Sequence, residues 1–154
     1  MHRERAFSNT QKSLVGFTLG DVSYAIDISK VVQIVNPLAL DRLPRLPEHV
    51  LGVTEFRGDV VPVIDLRASF GMRGEAPRSK WIVARTPRGM VALVVDAVTE
   101  VFGTRGAELK PPPELGSYAE RRALVGVATQ GGQRTFVIDL EKLGGVTAAI
   151  EAGP

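Results

Sequence analysis

The chain has 154 residues, 44% of them from the set AVILMFWYC, with two His, no Cys and a net charge of +2. The lack of Cys excludes disulfides, thiolate metal sites and cysteine nucleophiles, and His2 and His49 alone offer little for an imidazole metal centre. The charge surplus sits in the first twelve residues; from Ser13 onward 16 cations face 16 anions, which argues against a nucleic-acid footprint or a polybasic membrane anchor.

Residues 1–13 read as a flexible basic tail, with no apolar core of a signal peptide before Leu14. Short β-type runs follow, bounded by turn residues. Leu14–Leu19 and Val22–Ile28 flank Gly20-Asp21, a hairpin signal. Val22, Tyr24, Ile26 and Ile28 alternate with Ser23, Ala25 and Asp27, the period of a strand. Val31–Val35 fits either a strand or one helical turn. Three prolines between Pro37 and Pro47 mark a surface loop. Leu51–Phe56, a turn at Arg57-Gly58-Asp59 and Val60–Leu66 make a second hairpin. Pro62 has no N–H to donate, so it belongs at an edge or a bulge. Gly71–Lys80 is a polar linker. Trp81–Arg85 and Met90–Asp96 form a third hairpin, and Val98–Phe102 continues as strand. Ser117 with Glu120 fits a capping box after the Pro111-Pro112-Pro113 loop. Val125–Thr129 and Thr135–Leu140 form a fourth hairpin. Lys142–Ile150 is a weak helix interrupted by Gly144-Gly145. No apolar run approaches the roughly 20 residues that span a bilayer. The expected setting is cytoplasmic, with no membrane insertion.

An internal repeat sets the architecture. Gly52–Leu66 lies on Gly126–Leu140 without a gap, and seven of fifteen positions are identical, including Val63-Ile64-Asp65-Leu66. Upstream, an offset of 69 aligns Gly20 with Gly89, Asp27 with Asp96 and Val32 with Val101. Five short strands per half is what a small closed barrel needs to remove its edges. The expected fold is all-β: two tandem SH3-like five-stranded barrels packed together, with short helical turns in connections and near the C-terminus. The expected segments are the tail (1–13), a first barrel (14–70), a second barrel (71–140) and a C-terminal piece (141–154) packing back on the first. Each half alone is marginal in size, so the two should share a core.

The candidate sites divide clearly. One His in the body supports no Ser/His/Asp set. Asp27, Asp65, Asp96 and Asp139 lie near strand ends; a carboxylate pair for acid–base work is conceivable, but repeated Asp residues fit better as acceptors of backbone N–H groups at corners. Gly126–Gly132 precedes a strand and carries no phosphate-loop signature. Arg57 is different: the repeat places Gly131 opposite it, so one half carries a guanidinium where the other has no side chain. A hairpin tip is well placed to meet a partner carboxylate. Val31, Val98 and Val101 are either core or an apolar groove for a partner helix.

Several stretches resemble the CheW-like chemotaxis coupling family: Phe17–Asp21 with Tyr24–Ile28; Gly52-Val53-Thr54 through Phe56-Arg57-Gly58 to Val61–Arg67; Leu93–Val98; Lys110–Pro113; and Gly126-Val127 with Ile138–Leu143. The likeness covers residues 14 to about 144, and the Arg-Gly hairpin followed by Pro-Val-Ile-Asp-Leu-Arg is its specific part. The resemblance implies two SH3-like barrels, no catalysis and no cofactor. It implies two partners, the cytoplasmic tip of a chemoreceptor and the regulatory domain of a CheA-type histidine kinase. It associates Arg57, Val31, Val98 and Val101 with receptor coupling and marks Gly52 as a place where a side chain would intrude. Gln33 stands where the family has an acidic residue, and Glu55-Phe56 where it often has Asn and Leu. These departures leave partner identity open. The leading reading is an adaptor; the alternative is a module of a non-flagellar array for surface motility or gene regulation. An enzyme or small-ligand barrel and a nucleic-acid-binding SH3-like module are further classes to separate by experiment.

Overall fold

The computed structural model describes residues 12–47, 49–72, 74, 79–104, 108–112, 123–143 and 146. Eleven strands are described: β1 (Ser13–Leu19), β2 (Val22–Asp27), β3 (Val31–Val35), β4 (Val50–Phe56), β5 (Asp59–Asp65), β6 (Lys80–Thr86), β7 (Gly89–Val95), β8 (Ala97–Gly103), β9 (Glu108–Lys110), β10 (Leu124–Gln130) and β11 (Gln133–Ile138). A helical turn α1 (Leu66–Ser69) and two 3₁₀ turns, Ile28–Lys30 and Leu140–Lys142, complete the described elements. The four hairpins stand where the turn signals put them. Three strand ends are shorter than expected, because Ile28, Leu66 and Leu140 open helical turns. Each of these turns is capped by the preceding Asp: Asp27 accepts from Ser29 N at 2.9 Å, Asp65 from Arg67 N at 3.1 Å and Asp139 from Glu141 N at 3.1 Å. These carboxylates serve the backbone at corners, as N-cap chemistry prescribes. The Ser117–Glu120 capping box lies outside the described residues. So does most of the Lys142–Ile150 helix, of which Lys142 falls in a 3₁₀ turn and Val146 is buried.

Two sheets result, in the orders β8-β1-β2-β11-β10-β9 and β3-β6-β7-β5-β4. The protein is all-β in two sheets, with six strands in one and five in the other. The extra strand is β9, which pairs with β10 over three residues, whereas its counterpart near Asp41 makes a single bridge to Val53. Both sheets are apolar on both faces. Along β6, Ile82 faces a central core while Trp81 and Val83 face the interior of the five-stranded sheet; along β2, Tyr24 and Ile26 face the central core while Ala25 faces the interior of the other sheet. The end strands β3 and β4 both feed one interior (Val32, Val35, Leu51), and β8 and β9 both feed the other (Phe102, Leu109). Each sheet therefore curls round its own small core, although no described pairing hydrogen-bonds its end strands. The central core joins the sheets and includes Leu143 and Val146.

The sheets do not divide at residues 70/71. The hairpin β1-β2 joins β8–β11, and the hairpin β6-β7 joins β3–β5. Connection length dictates this exchange. Three residues link β2 to β3, and only Asp96 links β7 to β8. Were β3 to pair with β1 in its own half, antiparallel, it would run parallel to β2. The link would then have to retrace a strand of roughly 20 Å, whereas three residues reach about 10 Å. The chain crosses to the opposite sheet instead. Register also corrects the upstream repeat. Leu19 pairs with Val22 and Thr86 with Gly89, so the hairpins correspond at an offset of 67 (Phe17 to Ala84, Val15 to Ile82) and not 69. The Gly20-Asp21 turn matches Pro87-Arg88 rather than Gly89.

Pro62 satisfies its constraint in an interior strand. Val53, opposite it on β4, turns its own N–H and C=O to Asp41 at 2.9 and 2.8 Å, so the Val53–Pro62 pair needs no donor from Pro62. On the other side, β7 pairs with β5 only from Val63 onward.

Candidate functional site

Arg57 and Gly58 form the two-residue tip of the β4-β5 hairpin, with φ of 51° and 84°. Both angles are left-handed, as in the turns that match strand twist. The repeat tip, Gly131-Gly132, has φ of 60° and 81°. A non-glycine residue in this region carries a cost of about 1–2 kcal/mol. Arg57 occupies a position that its own repeat gives to glycine, and strain of this kind often accompanies function.

The guanidinium is held on two sides. Its Nη2 donates to Gln33 Oε1 on β3 at 2.5 Å, and its carbon stands 4.9 Å from the centre of the Phe56 ring. Phe56 is itself buried in the interior of the five-stranded sheet. Arg57 thus spans from the hairpin tip to the far end strand and closes the mouth of that sheet. Gln33 accepts the hydrogen bond without neutralising the charge. An exposed, oriented cation remains, suited to a two-pronged bond with a carboxylate.

Gly52 supports this hairpin from β4. A Cβ there would stand 2.3 Å from Asp41 O and 3.1 Å from Leu40 Cδ1. Glycine lets the Ala39–Asp41 segment lie against β4, where Thr54 Oγ1 also donates to Ala39 O at 2.7 Å. The equivalent Gly126 faces Lys110 O, 3.3 Å from the Cβ position. The two glycines serve the same close approach in both sheets.

The structure brings Arg57 and Gln33 into contact, places Val31 two residues before Gln33 on β3, and sets Gly52 beneath the hairpin. Val98 and Val101 lie on β8, in the other sheet. Val31 and Val98 are both half-buried against the central core, and they are register equivalents: Val31 pairs with Ala84 as Val98 pairs with Phe17. Val101, paired with Val15, is 57% exposed; its equivalent is Ile34, paired with Ile82 and 39% exposed. The valines therefore divide between core and surface.

The sequence reading missed the Arg67–Asp96 pair. Arg67 Nη1 donates to Asp96 Oδ2 at 2.6 Å, and the same oxygen accepts from Gly20 N at 2.7 Å. Asp96 N donates to Thr18 O at 3.0 Å. One aspartate thus ties the β1-β2 turn, the β7-β8 crossover and α1 together. No spacing rule joins residues so distant in sequence.

A cavity of about 190 Å³ lies near Asp139, floored by Leu14, Ile26 and Val137 and rimmed by charged groups. Those charges are engaged: Lys12 with Asp27 at 3.3 Å and Lys30 with Glu141 at 3.2 Å. Burial pushes the Asp27 carboxyl up, but bonds from the Ser29 backbone and hydroxyl, together with Lys12, outweigh it and hold it below its ordinary value. Among the described residues, no three His, Asp or Glu side chains gather as metal ligands, and no helix is long and apolar enough to cross a membrane.

Comparison with known proteins agrees with this fold. The CheW-like domain model matches residues 13–146. The chemotaxis protein CheW of Klebsiella aerogenes is 34% identical over 129 residues, covering 82% of this chain and 78% of that one. Protein FrzA of Myxococcus xanthus is 34% identical over 124 residues, 79% and 76% of the two chains. Among solved structures, the scaffolding protein TtCheW of Thermoanaerobacter tengcongensis superposes with a TM-score of 0.72 at 30% identity, covering 84% of this chain and 90% of that one.

Proposed function

The chain belongs to the CheW-like domain family, and from that premise we infer that it is a non-enzymatic chemotaxis adaptor that couples chemoreceptors to a CheA-type histidine kinase. The finer assignment is our proposal. The receptor's cytoplasmic tip docks on the surface that carries Arg57, with Gln33, Val31 and Gly52 shaping it and Val98 and Val101 adding apolar contact from β8. The kinase's regulatory domain, itself built of similar sheets, docks elsewhere on the molecule, and the complex assembles in the cytoplasm.

One observation carries the receptor site. A guanidinium is held at a strained turn position, oriented by Gln33 and Phe56, where the repeat has bare glycine. The fold does not need it, since the second hairpin closes without it. Association of full-length Arg57→Glu with a receptor cytoplasmic fragment tests the role. Weakened association with unchanged thermal unfolding is expected. Unchanged association would remove Arg57 from the site.

A second reading has one observation behind it. FrzA, whose name does not place it in chemotaxis, shares the same 34% identity as the Klebsiella protein, over 124 residues against 129. A dedicated non-flagellar array would use the same contacts. Neighbouring genes for flagella favour the first reading, and genes for pili or gliding favour the second.

A further inference from the structure

Register gives each residue of β3 a counterpart on β8: Val31 with Val98, Ile34 with Val101 and, between them, Gln33 with Glu100. The two end strands share a bulge at this place. Gln33 pairs with Val83 just past the shift in β3, and Glu100 lies opposite Gly16 in the matching shift of β8. In the five-stranded sheet, Gln33 receives the guanidinium of Arg57. In the six-stranded sheet, the tip position is Gly131, which has no side chain to send. Glu100 is exposed, and no hydrogen bond or ion pair within the described residues engages its carboxylate. Its backbone is nevertheless fixed. Gly16 lets β8 approach so closely that a Cβ there would stand 2.6 Å from Thr99 Oγ1 and 3.3 Å from Glu100 O.

β8 is also an end strand, and Val101 beside Glu100 is 57% exposed. Glu100 and Val101 point to opposite faces of this strand, and both are exposed at its free edge, where a basic residue on an apolar segment packed on Val101 can reach round to the carboxylate. The other half of the molecule shows the same arrangement already filled from within. We propose that Glu100 is a docking carboxylate that takes an Arg or Lys from the receptor segment packing on Val98 and Val101. This rests on the reading of those two valines as receptor contacts, and it adds the charge that the partner must carry.

The test is titration of the full chain with a receptor cytoplasmic fragment at low and high salt, using Glu100→Gln, Glu100→Lys and Val101→Asp. At low salt, Glu100→Gln should weaken binding about 3-fold, with the difference vanishing at high salt, as an exposed ion pair requires. Glu100→Lys should weaken it by about 10-fold through like-charge contact. Thermal unfolding should not move for either Glu100 variant, because the carboxylate has no partner among the described residues. If Val101→Asp weakens binding while both Glu100 variants match the parent, the carboxylate role is overturned and the valine surface stands. If Val101→Asp is also silent, the receptor reading of β8 falls, and this inference with it. A loss confined to a kinase fragment overturns the assignment of Glu100 to the receptor.

Discussion

Arg57 shows how one side chain can be conspicuous in sequence and explicable only in structure. The gapless repeat exposes it as an asymmetry, Arg against Gly131. The positive φ, the bond to Gln33 and the ring of Phe56 needed coordinates, because none follows from spacing. These contacts set opposing terms on stability. Replacing Arg57 by Gly relieves about 1–2 kcal/mol of backbone strain. It also loses an exposed hydrogen bond and a cation–π contact, each about 1 kcal/mol or less, and frees the unfolded chain. Arg57→Gly should therefore leave stability within about 1 kcal/mol in a denaturant titration while weakening receptor association. A large stability loss would make Arg57 a structural clasp. Gly52 predicts the opposite pattern. Gly52→Ala forces its Cβ against the Asp41 carbonyl, and overpacking of this kind costs about 1–3 kcal/mol. Thermal unfolding should fall, and receptor binding should fall with it as the Ala39–Asp41 segment is displaced.

At the scale of elements, the hairpins and capping aspartates were readable because both are local. Alternation, a glycine-containing turn and an Asp at the corner lie within a few residues of one another. The crossovers were not readable, since their anchors come from distant parts of the chain. The β7-β8 crossover is held by Arg67 and Asp96, each with a side chain only 17% exposed. The β2-β3 crossover is held by Lys30 and Glu141, at 42% and 31% exposure. Asp96→Ala removes the ion pair of a largely buried guanidinium and the acceptor of the Gly20 N–H, a loss on the order of 3 kcal/mol. Glu141→Ala breaks a solvated pair and should cost under about 1 kcal/mol. Denaturant titrations of the two variants check the contrast, and equal losses would refute it. Asp27 adds a pH dependence at the same crossover. Its folded carboxyl is held below the ordinary value of 3.8. Its contribution is therefore complete above the unfolded value and is lost as pH falls through the folded one. Asp27→Asn should flatten the acid limb of a Tm-against-pH curve below about pH 4 and leave the curve unchanged in shape near neutrality.

On the scale of the whole molecule, a repeat discloses that two segments are alike but not which copy each will pair with. Likeness between Gly52–Leu66 and Gly126–Leu140 is equally consistent with two self-contained halves and with exchanged ones. The deciding quantity is connector length. One residue between Val95 and Ala97, and three between Asp27 and Val31, cannot carry β8 back to β6 or β3 back to β1, the far strand of its own hairpin. The exchange leaves neither half with a complete sheet. Without residues beyond 72, β1-β2 loses its neighbours β8 and β11, and β3 and β5 lose β6 and β7. Every apolar face that the partner half covers, including Phe17, Ile26 and Ile64 in the central core, would be open to water. Fragments 1–72 and 73–154, expressed separately, should show no cooperative thermal transition. Mixed at equal concentration, they should regain one, with a midpoint that rises with concentration because folding has become association. Two self-contained halves would each unfold cooperatively alone and gain little on mixing. The same interlock bears on how the adaptor works. Surfaces on the two sheets are joined through a shared core and two short crossovers, so two partners docked on the molecule, as we propose for receptor and kinase, are held at a fixed relative geometry.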